Sequence, residues 1–137
     1  LEPWEALYLV EKGRIEVLGE EGSPLGFSEL LGELRGLEEG LWAKYLIYRD
    51  LRERGYVVKR GFGHGLVFRL YGRGEYGRKP ARFLIYGILE GSPVRASDLQ
   101  EALRRAEASD KELLLAVVER RGEVIYYKVQ EWGEAGR

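Results

Sequence analysis

Residues 45–71, YLIYRDLRERGYVVKRGFGHGLVFRLY, decide how the chain folds. Ile47, Tyr48 and Leu51 fall on one helical face and charged residues take the other, which predicts an amphipathic helix. Gly55 follows the last helical residues, at a position where a helix commonly ends with a positive φ. A strand is therefore expected to begin directly after Gly55.

Two strands joined by a glycine-rich turn complete this stretch. Residues 56–58 (YVV) have high strand propensity, and the three glycines within residues 61–65 mark the turn. Residues 66–71 (LVFRLY) then alternate, so that the two leucines and the phenylalanine are expected on one face and Tyr71 on the other. The second strand therefore ends in a tyrosine on its polar face.

The sequence pattern of the second half of the chain predicts a strand, a helix and a second strand in succession. Residues 83–89 (FLIYGIL) and 113–118 (LLLAVV) are apolar throughout, which is typical of strands covered on both faces. Between them, residues 97–100 (SDLQ) form a capping box for a helix, so the two strands should be parallel with a right-handed crossover. Residues 124–129 (VIYYKV) alternate and are suited to a sheet edge or a subunit interface. From Gly133 onward the chain should be frayed.

Signals for two short helices and one strand precede residues 45–71. Residues 4–12 and 27–34 read as short helices, and residues 14–18 (RIEVL) alternate like a strand. Glycines and acidic residues then separate two apolar patterns just before residue 41. The predicted fold class is α/β, with a small N-terminal α/β lobe over residues 1–40 and a C-terminal domain with a mixed central sheet over residues 41–137.

Composition excludes several kinds of site. The 137 residues contain no Cys and one His, which excludes disulfides, thiolate nucleophiles, zinc-thiolate centres and His-rich clusters within the chain. No apolar run is long enough to span a membrane and no secretory signal pattern opens the chain, so we expect a soluble, cytoplasmic protein. Because the first residue is not Met, we also expect the chain to begin inside a longer product.

Charge and residue usage add two expectations. Met and Asn are absent while Arg and Glu are abundant, which favours a thermophilic source. The net charge is −1, so no global attraction to nucleic acid is expected. The segment over residues 59–82 is locally basic, which is compatible with phosphate contacts, although a solvated loop explains the charge equally well. Its basic residues are Lys59, Arg60, Arg69, Arg73, Arg78, Lys79 and Arg82, against a single Glu75.

The glycine-rich turn itself does not indicate a known phosphate loop. The segment GFGHG lies between two strands, so a hairpin turn is the simpler interpretation. His64 lies inside it, and a lone His without a positioning partner is more typical of an exposed turn residue than of a general acid.

Several segments together resemble the archaeal tRNA-splicing endonucleases over nearly the whole chain. They are YLIYRDLRERGYVVKRGF, FRLYGRG, the strand FLIYGIL, a capped helix, a Lys before LLLAVV, the terminal VIYYKV and the opening WEALYLVEKGRIEVL. The resemblance implies a restriction-endonuclease-like C-terminal domain. It also implies excision of introns from precursor tRNA at bulge-helix-bulge junctions without a metal or other cofactor, leaving a 2′,3′-cyclic phosphate and a 5′-hydroxyl.

The catalytic set of that family is a Tyr, a His and a Lys. The resemblance places the Tyr at Tyr71, which would help to deprotonate the attacking 2′-hydroxyl. It places the Lys at Lys111, which would stabilise the charged phosphorane. Pro80 occupies the place of the His, and proline cannot protonate the leaving 5′-oxygen. The chain therefore resembles the structural, non-cleaving subunit that pairs with a catalytic subunit in a two-plus-two heterotetramer, with Tyr71 and Lys111 as remnants that could merely pack or be solvated.

The resemblance also implies subunit contacts around the last strand. An acidic loop before that strand usually docks into a basic cleft of an opposing subunit, but here the loop also contains Arg120 and Arg121. We predict interface residues at Glu119, Glu123, Val124, Ile125, Tyr126, Tyr127 and Val129. We predict RNA contacts at Arg69, Arg73, Arg78, Lys79 and Arg82.

Two other functions stay open on the sequence. The chain could cut RNA itself with Tyr71, Lys111 and a displaced acid such as His64. It could also be a stand-alone RNA-binding module that uses the basic loop between Arg69 and Arg82. Cleavage by the isolated chain would favour the first, and salt-dependent binding of precursor tRNA without a partner would favour the second.

Overall fold

The computed structural model describes residues 1–129. None of the helices in that part of the chain is long and apolar enough to cross a membrane. The frayed end predicted from Gly133 lies outside the described residues. The elements are α1 (Pro3–Glu11), α2 (Phe27–Leu34), α3 (Leu41–Glu53), β1 (Val57–Gly63), β2 (Leu66–Tyr71), β3 (Phe83–Leu89), α4 (Ala96–Ala108), β4 (Glu112–Val118) and β5 (Val124–Val129).

The five strands form one mixed sheet in the order β1-β2-β3-β4-β5. The β3–β4 pair is parallel and is connected through α4, as the strand-helix-strand pattern predicts. The other three pairs are antiparallel. The α/β class with a mixed sheet is confirmed, and β5 lies at an edge of the sheet.

Helices cover both faces of the sheet, and we call these faces the α3 side and the α4 side. On the α3 side, the helices α1, α2 and α3 pack against the strands around one buried cluster that includes Trp4, Leu7, Tyr45, Phe68 and Ile85. On the α4 side, a smaller cluster contains Leu66, Leu84, Tyr86, Ala102, Ala106 and Leu113. The helices of the first 40 residues therefore share a core with the sheet.

The alternation predicted for β2 is interrupted near its start. The pairing register of β2 with β3 shifts between Leu66 and Phe68, so Leu66 packs on the α4 side while Phe68 packs on the α3 side. The prediction that these two side chains share a face is therefore wrong. Beyond the shift, Arg69 lies opposite Leu84, a residue of the α4-side cluster. Tyr71, two residues further on, projects to the same side because side chains alternate along a strand.

The strand predicted over residues 14–18 is wrong. The structure shows only an isolated bridge between Leu18 and Pro24. The backbone bonds of this segment close a local turn instead, since Leu25 N–H donates to Val17 O at 2.7 Å and Gly19 N–H donates to Ser23 O at 2.9 Å. Alternation is present in the sequence, but within residues 1–129 no strand pairs with this segment.

The helix start predicted at Ser97 is also displaced. Helix α4 begins at Ala96 with Arg95 as its N-cap, and no side chain caps it. The carbonyl oxygen of Arg95 accepts from the N–H of Asp98 at 3.0 Å. Ser97 therefore lies within the first turn, where it cannot act as the N-cap residue.

Candidate functional site

The sequence-predicted site positions lie together at one end of the sheet, where strands β2, β3 and β4 end or begin. Tyr71 ends β2, Arg82 directly precedes β3, and Lys111 directly precedes β4. The N–H of Arg82 donates to the carbonyl of Leu70 at 2.9 Å, and the N–H of Glu112 donates to the carbonyl of Arg82 at 3.0 Å. These two bonds align the ends of the three strands.

Lys111 is held at this edge by two bonds. Its backbone N–H donates to the carbonyl of Ala106 near the end of α4, at 2.8 Å. Its half-buried Nζ donates to the carbonyl of Ala81 at 2.9 Å. An ammonium group has three donors, so this contact leaves two of them for another acceptor. A fixed positive charge therefore lies beside the segment that contains Pro80.

Tyr71 lies among aromatic and cationic side chains. Its hydroxyl accepts a long hydrogen bond of 3.4 Å from Nη1 of Arg69. Its ring meets that of Tyr76 edge to face, with centroids 4.9 Å apart. The Nζ of Lys59 lies 5.0 Å from the centroid of the Tyr76 ring. Sequence reasoning missed this grouping, because Lys59 and Tyr76 reach Tyr71 only through strand pairing and the fold of the loop after β2.

Pro80 lies between these groups along the chain, in the exposed loop that leads to β3. The residue after it, Ala81, is buried and supplies the carbonyl that Lys111 contacts. The residue before it, Lys79, has its Nζ 3.8 Å from the carboxylate of Glu75. A proline side chain has no ionisable proton, so at this position it can neither donate nor accept one.

His64 lies at the other end of β2 from Tyr71. It occupies the β1–β2 turn in the left-handed region, with φ of +53°. It lines a cavity together with Asp98, Glu101 and Arg105 of α4. Tyr71 lies seven positions after His64, and a strand rises about 3.3 Å per residue, so the two residues are roughly 20 Å apart. This distance excludes proton transfer from His64 to a group bound at Tyr71 of the same chain.

The basic residues predicted to contact RNA do not form one cluster. Arg69 lies on the α4 side beside Tyr71, and its Nε donates to the carbonyl of Arg60 at 2.8 Å. Arg73 instead lies over the ring of Tyr56, which packs against the α3-side cluster, with its Cζ 4.7 Å from the ring centroid. The three remaining side chains are exposed in the segment before β3: Arg78, Lys79 and Arg82.

The predicted interface strand β5 has two different faces. Ile125 and Tyr127 are 39% and 53% exposed. Val124 and Tyr126 instead pack against the α3-side cluster, and Val129 packs against the α4-side cluster. In the turn before β5, the N–H of Glu119 donates to the carbonyl of Glu123 at 2.8 Å. Of the predicted apolar interface residues, Ile125 and Tyr127 are the two most available to a partner.

Tyr126 attaches β5 to helix α3. Its hydroxyl donates to Oδ2 of Asp50 at 2.7 Å, and Nε of Arg54 donates to the same oxygen at 2.9 Å. Burial, together with the hydrogen bond to Asp50, raises the pKa of the Tyr126 phenol well above its ordinary value. The sequence analysis assigned Tyr126 to an interface and missed its contact with Asp50. A contact between residues 76 positions apart leaves no local signal in the sequence.

Two family models match the chain. The model described as "tRNA intron endonuclease, catalytic C-terminal domain" matches residues 41–126. The model described as "tRNA intron endonuclease, N-terminal domain" matches residues 1–31. Together they cover most of the described residues, including the three strand ends.

Curated relatives show the same similarity over almost the whole chain. A protein of Methanothermobacter thermautotrophicus named tRNA-splicing endonuclease is 42% identical over 131 residues, which are 93% of this chain and 74% of the relative. A protein of the same name from Thermococcus onnurineus is 39% identical over 128 residues, 93% of this chain and 72% of the relative.

Proposed function

This chain belongs to the tRNA intron endonuclease family, and we propose that it is the structural subunit of a tRNA-splicing endonuclease, which supports a separate catalytic subunit. One observation carries the proposal. Tyr71 and Lys111 lie at the same end of the sheet. The resemblance to the family assigns the proton donor to the position of Pro80, and a proline cannot supply a proton, so we interpret these residues as a charged site without its acid.

The reaction of the family defines what each group would do. The 2′-hydroxyl attacks the adjacent phosphorus in line, its proton passes to a base, and the bond from phosphorus to the 5′-oxygen breaks. The products are a 2′,3′-cyclic phosphate and a 5′-hydroxyl, so the departing 5′-oxygen must gain a proton. Tyr71 is the candidate for the first proton transfer, and Lys111 is the candidate for stabilising the charged phosphorane.

The second proton transfer has no donor at the corresponding position. Loss of a positioned general acid typically lowers a rate by about two to four orders of magnitude. His64 does not replace it within this chain, because it lies at the opposite end of β2. We therefore assign cleavage to a partner subunit that retains all three groups.

The arrangement we propose is a two-plus-two heterotetramer that acts on bulge-helix-bulge junctions of precursor tRNA in the cytoplasm. In it, two copies of this chain position two catalytic subunits so that their sites match the two intron ends. The exposed Ile125 and Tyr127 on the edge strand β5 support a subunit contact there, because an unpaired strand edge with apolar side chains invites pairing with another chain.

We also retain the division of the chain near residue 40. Separate family matches to residues 1–31 and 41–126 support it. The shared core on the α3 side means that the two parts are packed against each other. The N-terminal helices therefore brace α3 and, through it, the sheet.

Cleavage of a bulge-helix-bulge precursor RNA in the presence of EDTA tests the proposal. The full chain should not cut the RNA alone, and it should raise the activity of the catalytic subunit of the same organism when the two are mixed. Size-exclusion chromatography of the mixture should show a complex containing both chains. Metal-independent cleavage by the chain alone would refute the structural role.

A further inference from the structure

We draw no further inference here: the strongest candidate, the cavity of about 420 Å³ between the start of α3 and the β1–β2 turn that is lined by Trp4, Lys44 and Arg60, carries no proposal because these two cations already pair with carboxylates of this chain and nothing in residues 1–129 shows what would occupy it.

Discussion

The ammonium of Lys111 donates a hydrogen bond to the carbonyl oxygen of Ala81, 2.9 Å away. Ala81 follows Pro80, so the positive charge of the candidate site lies beside the position at which we propose that an acid is missing. The contact also joins the starts of two strands, because Ala81 lies two residues before β3 and Lys111 directly precedes β4. Lys111 therefore has a structural contact in addition to the electrostatic role that we propose.

Replacing Lys111 should destabilise the fold. Lys111→Met leaves the buried Ala81 without its charged donor, and a hydrogen bond from a charged group contributes about 1.5–3 kcal/mol to the free energy of unfolding. Guanidinium denaturation followed by circular dichroism measures the loss. Lys79→Met is the control, because Lys79 is exposed and should contribute less than about 0.5 kcal/mol. Equal stability of the two variants would contradict a structural contact at Lys111.

Two neighbouring tyrosines on β5 should differ in their effect on stability. Tyr126→Phe removes the hydroxyl that donates to Asp50, so it should lower the free energy of unfolding by about 1.5 kcal/mol. Tyr127 is 53% exposed, and Tyr127→Phe should change it by less than about 0.5 kcal/mol. Chemical denaturation of both variants gives the comparison. A loss at Tyr127 as large as that at Tyr126 would show that Tyr126 does not attach β5 to α3.

The sequence predicts most of this fold because its elements carry local signals. Gly55 ends α3 at a positive φ, and the apolar runs of β3 and β4 flank a helix as they do in a parallel pair. The strand over residues 14–18 fails since alternation describes one chain, whereas a strand requires a partner. The prediction of the sheet face on which Leu66 lies is wrong because the register shift between Leu66 and Phe68 reverses the alternation. No residue type in this segment indicates such a shift unambiguously.

The candidate site also has a part that the sequence predicts and a part that only the structure shows. A family pattern assigned Tyr71, Pro80 and Lys111, and strand order then places them at one edge. The contacts of Tyr76 and of Asp50 depend on loop geometry and on pairs distant in sequence, for which the residues themselves give no signal. Long-range side-chain contacts are thus the part that the sequence alone does not supply.

The ion network around Arg60 should make stability depend on pH in the acid range. A hydrogen bond from Arg60 lowers the pKa of Glu2. Burial alone would raise the pKa of Glu38, but hydrogen bonds from Arg60 and Lys44 outweigh it and the pKa is lowered. Carboxyl groups with a lowered pKa in the folded state stabilise it above the unfolded value of about 4.3, and this stabilisation is lost as the pH falls through the folded pKa.

Arg60→Met should therefore flatten the acid limb of the stability curve between roughly pH 5 and pH 3. Urea denaturation at a series of pH values measures the slope. Arg104→Met is the control, because its pair with Glu101 is exposed on α4 and screened by solvent. An acid limb as steep in Arg60→Met as in the wild type would contradict the role of Arg60.

Two glycines of β1 should respond differently to an added methyl group. A Cβ on Gly61 would lie 2.2 Å from the carbonyl oxygen of Leu66, a backbone atom that cannot move aside. Gly61→Ala should therefore lower the free energy of unfolding by more than about 2 kcal/mol. Gly63 has no atom within 4 Å but a φ of +81°, so Gly63→Ala should cost only about 1 kcal/mol. Equal costs would show that the close approach of β1 to β2 is absent.

The most direct test of the structural role restores the missing acid. The Pro80→His variant is assembled with a catalytic partner whose own site has been inactivated by substitution, and cleavage of the precursor RNA is followed in EDTA. We expect the wild-type chain and Pro80→Ala to give no cleavage, and Pro80→His to raise the rate by at least about a hundredfold over background. Cleavage by the wild-type chain in this complex, or a folded and assembled Pro80→His variant that stays inactive, would contradict the claim that Pro80 makes this chain the non-cleaving subunit.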